Sequence, residues 1–179
     1  MTSQVYSVMK EKQKRYEALV HAFHGDIYRY AYWLTRDGSI AEDIVQETFL
    51  RAWRSLDALK DEKSAKSWLI TIVRRENARR FERKQLDLVD IDDVQVTDEA
   101  FHATPESDHE ELRVLIARLP VDYREPLLLQ LIFGYSGEEI AQQLELNKNT
   151  VMTRLFRARN QLKDMLERDA SSERGRTNG

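Results

Sequence analysis

The acidic stretch between Gln85 and Glu111 divides this 179-residue chain into two halves. It contains no lysine or arginine, it includes Pro105, and it shows no sustained apolar stripe. Such a segment buries too little apolar surface to offset the entropy lost on folding. Each half must therefore form its own core, and the sequence predicts two small domains joined by an acidic flexible linker at residues 85–107. A short strand within residues 86–96 is an alternative.

The first half, residues 1–84, has the periodicity of amphipathic helices. Apolar residues recur at three- and four-residue steps between Phe23 and Leu34. Ser39 and Glu42 have the spacing of a capping box, which predicts a second helix with Ser39 as its N-cap. A third helix is expected from near Trp68. The residues expected to face inward from the second helix are Ala41, Ile44, Val45, Thr48, Phe49 and Ala52.

The second half, residues 108–166, shows shorter helices. Pro120 stops the first of them. Asp122 and Glu125 indicate a cap for the next, with Pro126 in its first turn, where a missing N–H does no harm. The apolar residues of that helix are Leu127, Leu128, Leu131 and Ile132. Residues 167–179 are expected to form a disordered tail. Both domains are therefore predicted to be helical, which makes the fold class all-α.

Residues 138–162 have the layout of a helix-turn-helix, and the capping-box pair Ser136 and Glu139 precedes them. Small Ala141 allows the second helix to cross closely. Glu145 stands where many such turns carry glycine, and a left-handed backbone there costs of order 1 kcal/mol. In this motif the second helix enters the DNA major groove. An ordinary helical hairpin with a solvated charged face is the alternative.

The net charge of −3 conceals a segregation of charge along the chain. A basic run from Arg74 to Lys84 precedes the acidic stretch, and a second group of cations follows it between Lys148 and Lys163. Because local clusters matter more than the total, both basic runs are candidates for contact with nucleic acid.

Other classes of protein find little support in the sequence. Cysteine is absent, which excludes disulfides and thiolate metal sites. No apolar run approaches the roughly 20 residues of a membrane span, and the N-terminus lacks a signal-peptide core, so a cytoplasmic protein is expected. His21 and His24 lack further ligands, so neither a metal nor a cofactor is expected. No phosphate loop, nucleophile elbow or metalloprotease motif occurs, and we expect no enzyme.

Two long segments together resemble the extracytoplasmic-function sigma factors of the sigma-70 superfamily. The first contains AEDIVQETFLRAWR at residues 41–54, followed by WL at 68–69; the second contains TVMTRLFRAR at 150–159. They cover most of the chain in the family's order and spacing. The resemblance implies an alternative sigma factor that binds core RNA polymerase and directs initiation at promoters with particular −10 and −35 elements.

The resemblance also implies a role for each part of the chain. Residues 1–84 resemble region 2, which binds the clamp helices of the largest polymerase subunit and opens the −10 element. Residues 108–166 resemble region 4, which binds the −35 element of promoter DNA and the flap of the second-largest subunit. The acidic linker would lie in polymerase channels otherwise used by nucleic acid. A cognate anti-sigma factor, frequently membrane-anchored in this family, is a further implied partner.

Four groups of residues follow from the resemblance by position. The polymerase-binding residues would be Asp43, Gln46, Glu47, Leu50 and Arg51. The loop at residues 59–66 would capture a flipped −10 base, with contacts from Leu59, Lys60, Lys63 and Lys66. The cations holding −10 phosphates would be Arg74, Arg75, Arg79, Arg80 and Arg83. The −35 contacts would come from Lys148, Asn149, Thr150, Met152, Thr153, Arg154, Phe156 and Arg157.

The sequence departs from the family pattern at three positions. Val73 and Arg75 stand where many members have Ala and Asn, which puts the −10 preference in doubt. Met152 stands where a basic residue is common, which argues against guanine readout and leaves apolar contact with a thymine methyl. The main alternative function is a stand-alone helix-turn-helix regulator with an N-terminal sensor domain. The basic helix and the Asp43–Arg51 face favour a sigma factor, because a sensor domain needs neither.

Overall fold

The computed structural model describes residues 2–89 and 108–176, and the chain divides into two compact units, Met1–Asp98 and Glu99–Gly179. The first unit contains α1 (Thr2–Thr35), α2 (Gly38–Arg54) and α3 (Ala65–Val89). The second contains α4 (Asp108–Ala117), α5 (Val121–Phe133), α6 (Gly137–Leu144) and α7 (Lys148–Arg176). The all-α prediction is confirmed for the described residues. Within them, no helix combines the length and apolar character needed to cross a bilayer.

The first unit is a three-helix bundle in which every pair of helices is in contact. The six inward residues predicted for α2 are all buried. They meet the buried side of α1, which includes Ile27 and Tyr30, and the fully buried Leu69 and Ile70 of α3. Between α2 and α3 the chain forms two short 3-10 turns, Leu56–Ala58 and Glu62–Ser64.

The N-cap of α2 is Asp37, and the predicted capping box of Ser39 and Glu42 is wrong. The Asp37 carboxylate accepts a hydrogen bond from the Ile40 backbone N–H at 3.1 Å. The cause lies one residue earlier, where Arg36 takes a left-handed conformation with φ of 66° and ends α1. The chain leaves this turn extended at Asp37, so α2 begins at Gly38 and Ser39 already lies within its first turn.

The start of α5 also differs from the prediction. Its N-cap is Pro120, which provides no side-chain cap, so Asp122 is not a cap and Pro126 lies in the second turn. Arg124 explains the early start, because its guanidinium donates to the Ala117 and Leu119 carbonyls at the end of α4. Leu131, one of the apolar residues of this helix, is 56% exposed.

The helix-turn-helix forms as predicted in the second unit. The Ser136 hydroxyl and the Glu139 carboxylate make both bonds of the capping box. Glu145 takes the left-handed conformation, with φ of 54° and ψ of 44°, and turns the chain towards α7. Ile140, Val151 and Leu155 are buried where α6 and α7 pack together.

Two helices extend beyond the predicted domain boundaries. α3 continues to Val89, so the first residues of the predicted linker are helical, and residues 90–107 lie outside the described residues. α7 continues to Arg176, where a disordered tail was expected. Asp169 forms an ion pair with Arg118 at 3.8 Å, and the Ser171 hydroxyl donates to the Glu167 carbonyl. These contacts continue the helix past the last apolar residues.

Replacing Asp37 by alanine is expected to lower the free energy of unfolding of the first unit by about 1 kcal/mol, because the cap of α2 is lost. Trp33, Trp53 and Trp68 all lie in this unit, so urea denaturation followed by tryptophan fluorescence measures its stability. Ser39→Ala is the matched control and should change little. A larger loss from Ser39→Ala than from Asp37→Ala would contradict the observed cap.

Candidate functional site

A groove between α2 and α3 joins two of the predicted groups of residues. Its volume is about 500 Å³. One wall carries all five residues predicted to bind polymerase, and the other carries three of the cations predicted to hold −10 phosphates, Arg79, Arg80 and Arg83. The two groups therefore share one surface. Leu50 is its exposed apolar residue, in the middle of otherwise charged and polar side chains.

A chain of ion pairs crosses this groove from helix to helix. Glu47 pairs with Arg51 at 3.1 Å along α2. Arg51 also pairs with Glu76 on α3, and Glu76 pairs with Arg79 at 3.5 Å. Glu76 is only 8% exposed, so its carboxylate is a buried charge that two guanidinium groups compensate. Arg51 and Arg79 are therefore held in fixed positions on opposite walls.

The sequence reasoning missed Glu76. It is one of two acids, with Glu82, inside the basic run from Arg74 to Lys84, and that contrast was the available signal. An acid among arginines on one helix pairs with its neighbours at i+3 or i+4, as Glu76 does with Arg79. Its second partner, Arg51, comes from another helix and has no signature in the local pattern.

The five arginines predicted on α3 do not share one face. Arg75 is exposed and lines a separate cavity with Arg54 and Trp68, on the other side of Glu76 from the groove. Arg79 borders both cavities. Arg74 is half-buried, and Arg83 is exposed near the helix end. A nucleic-acid backbone on one side of α3 would thus contact Arg79, Arg80 and Arg83, and one on the other side would contact Arg75 and Arg79.

The predicted base-capturing loop is partly buried. The Leu59 side chain is 7% exposed and packs into the core, so it does not present an apolar surface to a base. Lys60 and Lys63 are exposed, and Lys66 is half-buried at the start of α3. The Asp61 carboxylate accepts from the Lys63 N–H at 3.0 Å and shapes the second 3-10 turn.

The exposed side of α7 carries most of the predicted −35 residues. Exposed there are Lys148, Asn149, Thr150, Met152, Thr153, Phe156 and Arg157. Arg154 differs, since it is half-buried and pairs with Asp122 at 3.8 Å. Phe156 is the most exposed of the large apolar residues on this face, at 64%. The face therefore combines apolar, hydroxyl, amide and cationic groups.

Contacts with α6 orient the first turns of α7. Lys148 pairs with Glu138 at 2.9 Å. The Met152 sulfur lies 2.7 Å from the position that a Cβ on Gly137 would occupy, so glycine at this position leaves room for the methionine.

Tyr135 lies just before α6, and burial and, to a lesser extent, Glu139 raise the pKa of its hydroxyl. Its hydroxyl therefore keeps its proton to higher pH than usual.

The second unit contains a helix-turn-helix with an exposed polar and basic face, and the first unit is a helical bundle that carries a charged groove. Together they define a DNA-binding protein with a further surface for a macromolecular partner. The family model of sigma-70 region 2 matches residues 19–86, and that of sigma-70 region 4 matches residues 109–162. Each match falls within one of the two units.

Individual relatives agree with the family models. The chain is 33% identical to RNA polymerase sigma factor SigV of Bacillus subtilis over 84% of this chain and 92% of the relative. It is 30% identical to the ECF sigma factor SigC of Mycobacterium tuberculosis over 90% of this chain and 89% of the relative. The solved sigma factor RpoE of Bartonella quintana, in complex with the anti-sigma factor NepR, has a TM-score of 0.73 and 27% identity, covering 88% of this chain and 98% of RpoE.

The chain belongs to the sigma-70 family and is an extracytoplasmic-function sigma factor. It is thus an alternative sigma factor, which binds core RNA polymerase and directs initiation at promoters through their −10 and −35 elements. Sigma factors as a family are not enzymes. The alternative of a stand-alone regulator finds no support, because the unit that would be its sensor domain matches region 2.

Replacing Glu76 by glutamine is expected to lower the free energy of unfolding of the first unit by about 1–3 kcal/mol, since its ion pairs with Arg51 and Arg79 are lost and the buried part of the Arg51 guanidinium loses its compensating charge. Urea denaturation followed by tryptophan fluorescence measures the change. Glu82→Gln removes the same charge from an exposed position on the same helix and should have an effect within about 0.5 kcal/mol. Equal stabilities for the two variants would show that the ion-pair chain contributes nothing measurable.

Proposed function

We propose that the groove between α2 and α3 is the surface that takes the clamp helices of core polymerase. The observation that supports this most strongly is that Asp43, Gln46, Glu47, Leu50 and Arg51 line one continuous groove. Its exposed apolar centre at Leu50, surrounded by charges of both signs, suits a helical partner with an apolar stripe between charged flanks.

For promoter DNA, we propose two separate contact surfaces. The −10 element meets the connector between α2 and α3, where Lys60 and Lys63 are exposed, and the cations of α3 contact its phosphates. The −35 element meets the exposed side of α7. Arg79, Arg80 and Arg83 border the groove between α2 and α3, so these three residues could contact bound polymerase as well as DNA.

The domain roles follow from these surfaces. Residues 1–84 would act in polymerase binding and −10 opening, 108–166 in −35 recognition, and 85–107 as the acidic linker between them. We also propose that the protein acts in the cytoplasm, carries no catalytic activity of its own, and is restrained by a cognate anti-sigma factor. The similarity to RpoE, solved with the anti-sigma factor NepR, supports the last point.

The polymerase surface is tested by Gln46→Ala combined with Glu47→Ala. We expect this double variant to bind core polymerase about tenfold more weakly while its helix content is unchanged. A tenfold loss corresponds to about 1.4 kcal/mol, which two truncated residues beside the apolar centre of an interface can supply together. Affinity for core polymerase in a titration with labelled sigma factor is the measurement.

A matched control exists on α1, where Gln13 and Glu17 form an exposed hydrogen-bonded pair at 2.9 Å. Gln13→Ala with Glu17→Ala removes the same two residue types away from the groove and should leave affinity unchanged. Undiminished binding by the folded Gln46 and Glu47 variant would remove this groove from the interface.

The role of Arg157 separates phosphate binding from base readout. We expect Arg157→Ala to weaken holoenzyme binding nearly uniformly across singly substituted −35 elements and to reduce the salt slope by about 0.9, as the loss of one phosphate contact does. Phe156 and Thr153 occupy much of the groove-facing surface, which favours the phosphate role.

Arg168→Ala provides the control for Arg157. Arg168 is an exposed arginine on the same helix, beyond the residues that match region 4, so its removal should change neither quantity. A loss confined to one base pair with an unchanged salt slope would assign Arg157 to base readout instead. In that case the expected discrimination is about 1–3 kcal/mol at that base pair.

A further inference from the structure

The connector between α2 and α3 is held in place by a residue of α1. The Arg15 guanidinium donates a hydrogen bond from one terminal nitrogen to the Leu59 carbonyl at 2.9 Å. Its Nε donates to the Glu62 carboxylate at 3.3 Å. One planar side chain thus bonds the backbone of the connector at Leu59, between its two 3-10 turns, and the side chain of Glu62, the first residue of the second turn.

Neighbouring residues of α1 contact the beginning of the connector. The Lys12 ammonium lies 3.9 Å from the Asp57 carboxylate and 4.9 Å from the centre of the Trp53 ring. Tyr16 packs edge-on against the same ring, with centroids 5.1 Å apart. Lys12 and Arg15 therefore contact the connector at Asp57, Leu59 and Glu62, and Tyr16, in the same turn of α1, contacts Trp53 near the end of α2. We call these three residues the α1 brace.

The α1 brace lies outside the segment that matches the region 2 family model, which begins at residue 19. The connector itself lies inside that segment. Its own hydrogen bonds are local, namely the backbone bonds of the 3-10 turns and the Asp61 cap. Burial of Leu56 and Leu59 packs the connector onto the core. Its polar contacts with α1 come from Lys12 and Arg15.

We infer that Arg15 is a positioning residue for promoter opening, which holds the connector in the conformation that presents Lys60 and Lys63 to the −10 element. This inference rests on the proposed −10 role of the connector. The physical reason is preorganisation: a connector already ordered by Arg15 loses less conformational entropy when it binds the unstacked strand. Arg15 itself need not contact DNA, because its guanidinium is committed to Leu59 and Glu62.

The test uses the full chain assembled with core polymerase on a promoter. Arg15→Ala is expected to reduce open-complex formation about tenfold, the effect of losing one charge-assisted hydrogen bond of ordinary strength. Opening is followed by permanganate reactivity of unpaired −10 thymines. Affinity for core polymerase and the response to −35 substitutions should stay unchanged, because neither surface contains Arg15.

Two further variants keep the test decisive. Lys10→Ala removes the same charge from an exposed position of α1 and should open promoters like the parent protein. Arg15→Lys retains the charge without the planar fork and should recover part of the lost opening. If Arg15→Ala fails to fold, the test depends on Arg15→Lys alone, which should open promoters less than the parent protein does. Promoter opening by Arg15→Lys equal to that of the parent protein would then overturn the inference.

The remaining outcomes separate this inference from the proposed function. Lys60→Ala with Lys63→Ala should also reduce opening, and combining it with Arg15→Ala should give less than the product of the two effects, because both act through one connector. Normal opening by the Lys60 and Lys63 variant would refute the proposed −10 role. Reduced opening by that variant but normal opening by Arg15→Ala would refute the role of Arg15 alone. A loss of polymerase affinity with Arg15→Ala would assign it a general structural role instead.

Discussion

The buried carboxylate of Glu76 constrains the charged surface of the first unit. A charge removed from water is costly unless opposite charges compensate it, and here Arg51 from α2 and Arg79 from α3 do so. The three side chains therefore adopt one arrangement, and α2 and α3 keep a fixed spacing where they meet. The groove lined by the residues of α2 that we propose to bind polymerase and by cations of α3 contains all three of these side chains.

The residues proposed for polymerase binding and some of those proposed for promoter contact are close together in the first unit as a consequence. Arg79 borders the groove and pairs with the same acid as Arg51, so a partner that moves either arginine also acts on the other. The connector lies at the other end of the same two helices and is tied to α1 by Arg15. The first unit thus uses ion pairs between helices, rather than apolar packing alone, to define its functional surfaces.

In the second unit, the polar contacts and caps orient a single helix, α7. Arg124 satisfies the last carbonyls of α4, the capping box starts α6, and Glu145 accepts a left-handed conformation so that α7 can follow at once. Lys148 and Met152 then contact the start of α6. Phe156 and Arg157 remain exposed on the side of α7 that we propose to contact the −35 element.

Local sequence signals predicted the helix-turn-helix well and the helix starts less well. The Ser136 and Glu139 box was correct because the chain is extended at Ser136 and the helix begins at the next residue, which places Ser136 at the N-cap. The Ser39 box failed because Arg36 bends the chain and gives the cap to Asp37. Leu131 is exposed although it is one of the apolar residues of α5, because apolar character does not tell which positions neighbouring helices cover. The family resemblance, carried by residues 41–54 and 150–159, identified the protein before its fold was known.

The sequence alone determined the all-α class, the division at the acidic stretch and the helix-turn-helix, because periodicity, composition and caps act over a few residues. Only the tertiary structure decided which charged residues share a surface. Glu76 meets Arg51 across two helices, and Arg15 meets Leu59 from 44 residues away. Contacts of this kind leave no local pattern, since they depend on how whole helices pack around a core.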